Sequence, residues 1–360
     1  MGRKQNYYIF APEKKKRGGP GCLILLLSVL FAVAVLSLLA NASLNNRVNL
    51  VSEKVRVMSL NQKLENFTVL HISDLHGDEM GLSPDIWRTL LYGKGFSAVA
   101  MTGDMVGAEG DFSPLISLIK TLRQIKADVP IYLIAGDEDP TPVMATLHGN
   151  PEVLADWVRA AQEAGAVYLD RPVAQQVGKL VVWFVPEYLY SVDVAGMQDS
   201  LTRQKADMEA QGKQYEGEGG ASYRALCYRL EAIAASVEAI KSMTKDDLQI
   251  ALTHVPLEAG YVREMVDWSQ SEAIFSFRRL SLVLAGHYVG GQWRLPGMGA
   301  LYVPERGWLA GDNGIVGMQR INSISQYVSG GLAASHLYPM PGRLFNPPSI
   351  SLLSYTARIE

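Results

Sequence analysis

The stretch LIAGDEDP, Leu133–Pro140, sets an apolar run against three consecutive acids, Asp137, Glu138 and Asp139, closed by a proline. Adjacent carboxylates repel one another. Three of them at the end of a buried strand imply a solvated loop, a bound cation or acid–base chemistry. The arrangement recurs along the chain. VLHIS runs into Asp74 and His76, AVAMTG into Asp104, IALT into His254 and LVLAG into His287. Each is a short apolar strand candidate that ends in an acid or a histidine. In open α/β sheets, ligands bind beyond the carboxyl ends of the strands. Five strand ends therefore predict one rim carrying three aspartates and three histidines.

The segments between these strands support that reading. Strands are expected over Phe67–Ser73, Ser97–Gly103, Pro130–Gly136, Lys179–Pro186, Leu248–His254 and Leu280–His287. Apolar residues at helical spacing predict helices over Pro84–Leu91 and Ser113–Lys126. PEVLADWVRAAQEAG, Pro151–Gly165, has proline at a helix start and glycine at its end, as helices prefer. Alternation of strand and helix argues an α/β fold with a largely parallel sheet. Val192–Asp247 is rich in Gln, Glu, Lys and Ala and predicts a helical insertion, broken at EGEGG, with its second helix over about Ser222–Met243. Later strand candidates, Ala300–Pro304, Gln326–Gly331 and Ser349–Ile359, lack long helices between them, which implies antiparallel pairing. His71 lies inside a strand and reads as core, whereas His148 and His336 read as solvated.

The chain has 360 residues and a net charge of −3 with histidines neutral. No basic excess argues for a nucleic-acid surface. The two cysteines, Cys22 and Cys227, cannot form a disulfide within the body. Gly21–Ala40 contains no charge and no proline. A helix of that length spans about 30 Å, the thickness of a bilayer's hydrocarbon. Arg3, Lys4, Lys14, Lys15, Lys16 and Arg17 precede it, with Glu13 the one opposing charge. The positive-inside rule then places residues 1–20 in the cytoplasm, residues 21–40 across the cell membrane and the body outside. A cleaved signal peptide is the rival reading, because Ala40–Ala42 (ANA) resembles a cleavage site. Residues 41–62 read as a stalk running into a first strand, and 63–360 as the functional domain, with the insertion at about 192–247.

Mixed carboxylate and imidazole donors suit Mn, Fe or Zn better than Ca or Mg. Paired cations with an activated water are the usual means of phosphoester hydrolysis. The ordered pieces DLH, TGD, AGDED, LTHVP and AGHYVGGQWRLP resemble the calcineurin-like metallophosphoesterases. The tail YVSGGLAASHLYPMPGRLFNPPSISLLS resembles their membrane-associated, exported bacterial branch, typified by YkuE and YaeI. The resemblance implies two mixed β-sheets packed face to face, with helices outside and a two-metal site at the strand ends. It implies that Asp74 and His76 hold one ion, that Asp104 bridges both, and that Asp137, His254 and His287 hold the second. The chain departs from the family pattern at Asp137, where an Asn is usual, and at Glu138 and Val289, where histidines are usual. Tyr288 and Glu79 are candidates to complete the first ion's shell. Glu138 would take over as general acid and move the optimum to acidic pH. The expected activity is hydrolysis of a phosphomonoester, phosphodiester or pyrophosphate by a metal-bound hydroxide, aided by Asp104 and Glu138. The substrate would be a phosphorylated small molecule or a lipid or cell-wall precursor near the membrane, and the cofactors two divalent transition metals, or one. The alternative is a catalytically weakened relative that binds a metal, a phosphorylated ligand or a partner.

Overall fold

The computed structural model describes residues 20–58, 60–78, 83–107, 110–144, 153–215, 217–272, 280–322 and 324–357. The basic tail, Glu79 and His148 lie outside these residues. Two units are described. The first is a helix, α1 (Pro20–Asn45), long and apolar enough to cross a membrane, with a mean hydropathy of 3.0 over its most apolar window.

The second unit is the body. Its first sheet contains β1 (Asn49–Arg56), β2 (Thr68–Ile72), β3 (Ala98–Thr102), β4 (Ile131–Ile134), β5 (Val167–Tyr168) and β15 (Ser349–Thr356), in the order β1-β15-β2-β3-β4-β5. Within it β2 to β5 are parallel and β15 runs antiparallel to β2. Helices α2 (Pro84–Leu91), α3 (Ser113–Ile125) and α4 (Asp156–Glu163) connect these strands. The second sheet contains β6 (Val173–Val177), β7 (Leu180–Pro186), β8 (Leu248–Leu252), β9 (Leu280–Ala285), β13 (Gly317–Ile321) and β14 (Ile324–Val328), in the order β13-β14-β9-β8-β7-β6. Helices α5 (Val194–Ala210) and α6 (Gly217–Ser242) fall between β7 and β8, and α7 (Ala259–Glu272) between β8 and β9. A small antiparallel sheet of β10 (Arg294–Leu295), β11 (Gly299–Val303) and β12 (Gly307–Gly311) completes the body.

Strand alternation builds the layers. Val69, Ala98, Ala100 and Tyr132 of the first sheet meet Val182, Phe184, Ile250 and Leu282 of the second in one core. Tyr132 stacks on Phe184 across it, with ring centroids 4.0 Å apart. The intervening residues, Leu70, Ile72, Val99, Met101 and Leu133, face outward onto Trp87, Leu115, Leu118, Leu122 and Trp157 of the helices. The outer face of the second sheet packs on Val194, Ile233, Val262 and Met265. Each such side chain contributes about 1.5–3 kcal/mol when fully buried. The fold is therefore two mixed sheets between helical layers.

Several expectations need correction. Alternation alone argues one largely parallel sheet; instead β2, β3 and β4 lie in one sheet and β8 and β9 in the other, the two mixed sheets that the family resemblance implies. The strand pattern is the same whether buried faces meet a helix or a second sheet. The helix expected from Pro151 starts at Asp156, because Leu154 pairs instead with Val143 as an isolated bridge. The insertion divides into two helices as expected, but the second starts earlier, inside EGEGG: α5 ends at Ala210, and Gly217, Gly219 and Gly220 lie in the first turn of α6. The first strand expected within residues 41–62 is β1, which pairs with β15 over eight residues, while α1 runs on past Ala40 to Asn45. The late strands are also partly parallel: β14 runs with β9 and β15 with β1.

Candidate metal centre

Both sheets turn their carboxyl ends to the same rim. Asp74 and His76 follow β2, Asp104 follows β3, Asp137 and Glu138 follow β4, His254 follows β8 and His287 follows β9. Two cross-sheet hydrogen bonds join the halves. The His287 N–H donates to Asp74 Oδ1 at 2.9 Å, and His254 Nδ1 meets the Thr102 carbonyl at 2.8 Å. The backbone bends sharply here: Asp74, His76, Asp104 and His287 have φ of 56°, 49°, 51° and 76°. That left-handed region is uncommon for non-glycine residues and marks sites where strain serves a function. Gly103 and Gly136 allow the close approach. A Cβ on Gly103 would lie 2.6 Å from the Gly136 nitrogen and 2.7 Å from His254 Nδ1, and one on Gly136 would overlap Asp104 Oδ1.

The side chains form two triads. Asp74, His76 and Asp104 bring ligand atoms within 4.8 Å of one another, and so do Asp137, His254 and His287. Asp104 touches both groups, because its Oδ2 lies 3.0 Å from His254 Nε2. Asp137 Oδ1 lies 2.7 Å from His254 Nε2 and 3.2 Å from His287 Nδ1. Of the six, Asp137 alone keeps a half-exposed side chain, at 46%. The centre opens to solvent on its side.

Each imidazole has one nitrogen held by an outer acceptor. His254 Nδ1 faces the Thr102 carbonyl, His76 Nδ1 lies 2.7 Å from Glu138 Oε2, and His287 Nε2 lies 3.0 Å from Glu305 Oε1. Carbonyls and carboxylates only accept, so each of these outer nitrogens carries a proton, and the opposite nitrogens are the ones available to a metal ion. His254 Nε2 and His287 Nδ1 point into the second triad, and His76 Nε2 is buried without a hydrogen-bond partner. Metal-ligating histidines are held in this way, with the outer N–H on a carboxylate or carbonyl.

The electrostatics ask for positive charge. Burial disfavours the charged form of His254, yet hydrogen bonding to Asp104 and Asp137 outweighs it and raises the pKa well above the ordinary value. His76 is raised against its burial by Glu138, and His287 by Asp137. Hydrogen bonds from His254 and His287 hold Asp137 far below the carboxylate range. Burial pushes Asp74 up, opposed by the nearby His254 and His76. A crowd of carboxylates that draws all three imidazoles toward protonation suits a bound cation. The N/O donor set and the orphaned His76 nitrogen fit a divalent transition metal.

The three acids of the GDED turn separate here. Asp137 faces the second triad and Glu138 pairs with His76. Asp139 is buried and accepts from the Gly136 N–H at 2.8 Å and the Val106 N–H at 2.6 Å, which ties the turn to the segment after β3. Burial pushes it up to about 6, against those two donors. His71 is buried against Thr102 and Tyr327, and His336 is exposed. Tyr288 lies against His287 with Arg306 over its ring, and Val289 is buried with φ 41°. Sequence reasoning misses Glu305, which sits between β11 and β12 and looks like an ordinary turn acid. It also misses the wrapping by the tail. Ala333 N–H donates to the Asp74 carbonyl, Leu332 N–H to the Ser73 carbonyl, and Ser335 Oγ to Glu138 Oε1. Arg343 is buried beneath this loop and donates to the Gly330, Ala333 and Asn346 carbonyls.

Comparison with known proteins decides the lineage. The model of the calcineurin-like phosphoesterase family matches residues 67–290, more than half of the chain and all the rim residues named above except Glu305. The chain belongs to the calcineurin-like phosphoesterase family. Within it, the uncharacterized metallophosphoesterase YkoQ of Bacillus subtilis is 26% identical over 117 residues, which are 31% of this chain and 43% of that protein. The chain thus matches less than half the length of this curated relative. Among solved structures, the phosphopantetheinyl hydrolase PptH of Mycobacterium tuberculosis has a TM-score of 0.35 at 11% identity, covering 75% of this chain and 91% of its own. The protein TT1561 of Thermus thermophilus has a TM-score of 0.38 at 15% identity, covering 74% and 90%. As a calcineurin-like phosphoesterase domain, the body carries two candidate metal triads consistent with hydrolase activity.

Proposed function

We propose that this chain is a metal-dependent phosphoester hydrolase anchored by α1, with its body on the extracytoplasmic side. One observation carries this reading. Three histidines from three strand ends each have an outer nitrogen held and an inner nitrogen aimed at Asp74, Asp104 or Asp137. In this reading Asp74 and His76 serve one ion and Asp137, His254 and His287 a second, with Asp104 shared. The ions would neutralise phosphoryl oxygens and lower the pKa of water at the site. The protein's part is to hold the outer side of its donors and so to fix the direction of their inner atoms. Thr102, Glu138 and Glu305 do this for the three imidazoles, and the Ser73 hydroxyl and His287 N–H do it for Asp74.

The tail wrapped over Asp74 supports a place in the exported, YkuE/YaeI-like branch. The basic residues before α1 support an N-terminus inside and a body outside the membrane. Such a site would act on a mono-, di- or pyrophosphate of a small molecule or of a lipid or cell-wall precursor. Glu138 pairs with His76, which supports an orienting role; action as general acid would require its carboxyl to leave that partner.

Metal analysis of the purified full chain, with turnover of p-nitrophenyl phosphate and bis(p-nitrophenyl) phosphate, tests the proposal. Two ions and turnover are expected. His254→Ala should cost more than the roughly 10–100-fold that loss of an outer partner costs. A parent chain that binds no metal would end the reading. Val289 gives a second reading its support, because that buried side chain offers no ligand beside the first triad. One ion without turnover would favour a binding protein built on the same fold.

A further inference from the structure

A cavity of about 630 Å³ lies between the strand ends and the helical insertion. Ile134, Pro186 and Leu252 form its floor, and Met197, Leu201 and Ile233 of α5 and α6 form its roof. His254 is part of the wall, so the cavity runs up to the metal centre. Its volume is far more than a phosphate group occupies and lies within the usual range for an organic ligand.

Several polar groups of the wall are already hydrogen-bonded within the protein. Tyr228 and Tyr188 donate to the Asp170 carboxylate and carbonyl, Glu187 accepts from Tyr261, and Thr253 donates to the Val255 carbonyl. Arg229, exposed on α6, is the wall's cation. A sugar or nucleobase would find few free partners here, whereas a hydrocarbon needs none. The same chain carries a helix apolar enough to cross a membrane, which puts amphiphiles at hand.

We propose that this cavity takes the hydrocarbon chain of a phosphorylated amphiphile whose phosphate lies at the metal centre. The proposal rests on the hydrolase reading above and narrows its substrate class. The insertion then serves as the specificity element: α5 and α6 roof the chain, and His254 separates its compartment from the phosphate.

Binding, not turnover, tests this. The full chain in nanodiscs, loaded with Mn(II), is titrated with ethyl, butyl and hexyl phosphate, with uptake by empty nanodiscs subtracted. Affinity should rise about fourfold per methylene that enters the cavity, the equivalent of ~0.8 kcal/mol. Ala232→Phe, which fills the cavity from α6, should flatten the series. Leu201→Trp fills it from the half-exposed α5 and gives the same answer if the first variant misfolds. A parental affinity independent of chain length, or a gradient untouched by both variants, overturns the proposal. If inorganic phosphate does not bind but 1-butanol and 1-hexanol still show the gradient, the hydrolase reading falls and the hydrocarbon site stands.

Discussion

Asp137, Glu138 and Asp139 do three different jobs, although nothing in their order separates them. Strand and turn geometry aim the first at His254 and His287, the second at His76 and the third back into the turn. Glu138→Gln removes the charge that holds the His76 proton. We expect metal affinity at the first triad to fall by about 10–100-fold, with the pH–rate profile unchanged in shape. A lost alkaline limb with full metal content would instead assign Glu138 to proton donation. Asp139→Asn replaces one acceptor oxygen by an N–H donor facing backbone N–H groups. It should lower stability by about 1–3 kcal/mol, read as a shift in urea midpoint without loss of bound metal.

Elements decide what the residues can reach. The strand ends carry the candidate ligands because the chain leaves β2, β3 and β9 through left-handed residues that turn side chains across the rim. The same strands bury His71. Its ring lies between the sheets, bonded to Thr102 and edge-on to Tyr327, and burial lowers its pKa from 6.5 to about 3. In acid the unfolded chain therefore gains a proton that the folded chain refuses. Stability present above pH 6.5 is lost as pH falls toward 3, by about 2 kcal/mol at pH 5. His71→Gln should remove that part of the loss. Urea midpoints at pH 7.5 and 5.0 for both proteins check it, and equal slopes would refute it.

At the scale of the molecule, α1 and the body are separate units. A chain anchored by α1 should stay in the membrane fraction through alkaline extraction. Protease added outside intact cells should digest the body, and a protected body would reverse the proposed orientation. The five strand ends, their six ligand candidates and the apolar segment were all legible in the sequence. Each is a local pattern: an alternating apolar run, a following acid or histidine, an uninterrupted hydrophobic stretch. Glu305, Ser335 and Arg343 were not legible. Each lies far along the chain from the residues it supports and looks like an ordinary turn or loop residue until the fold closes.

The sequence by itself therefore determined which side chains stand at the ends of strands, because period and turn chemistry are written within a few residues. It could not determine which acceptor holds which imidazole, or that the insertion roofs a cavity beside His254. Those outcomes depend on packing between segments more than a hundred residues apart. There the burial of apolar faces sets the distances, and no local pattern records the partner.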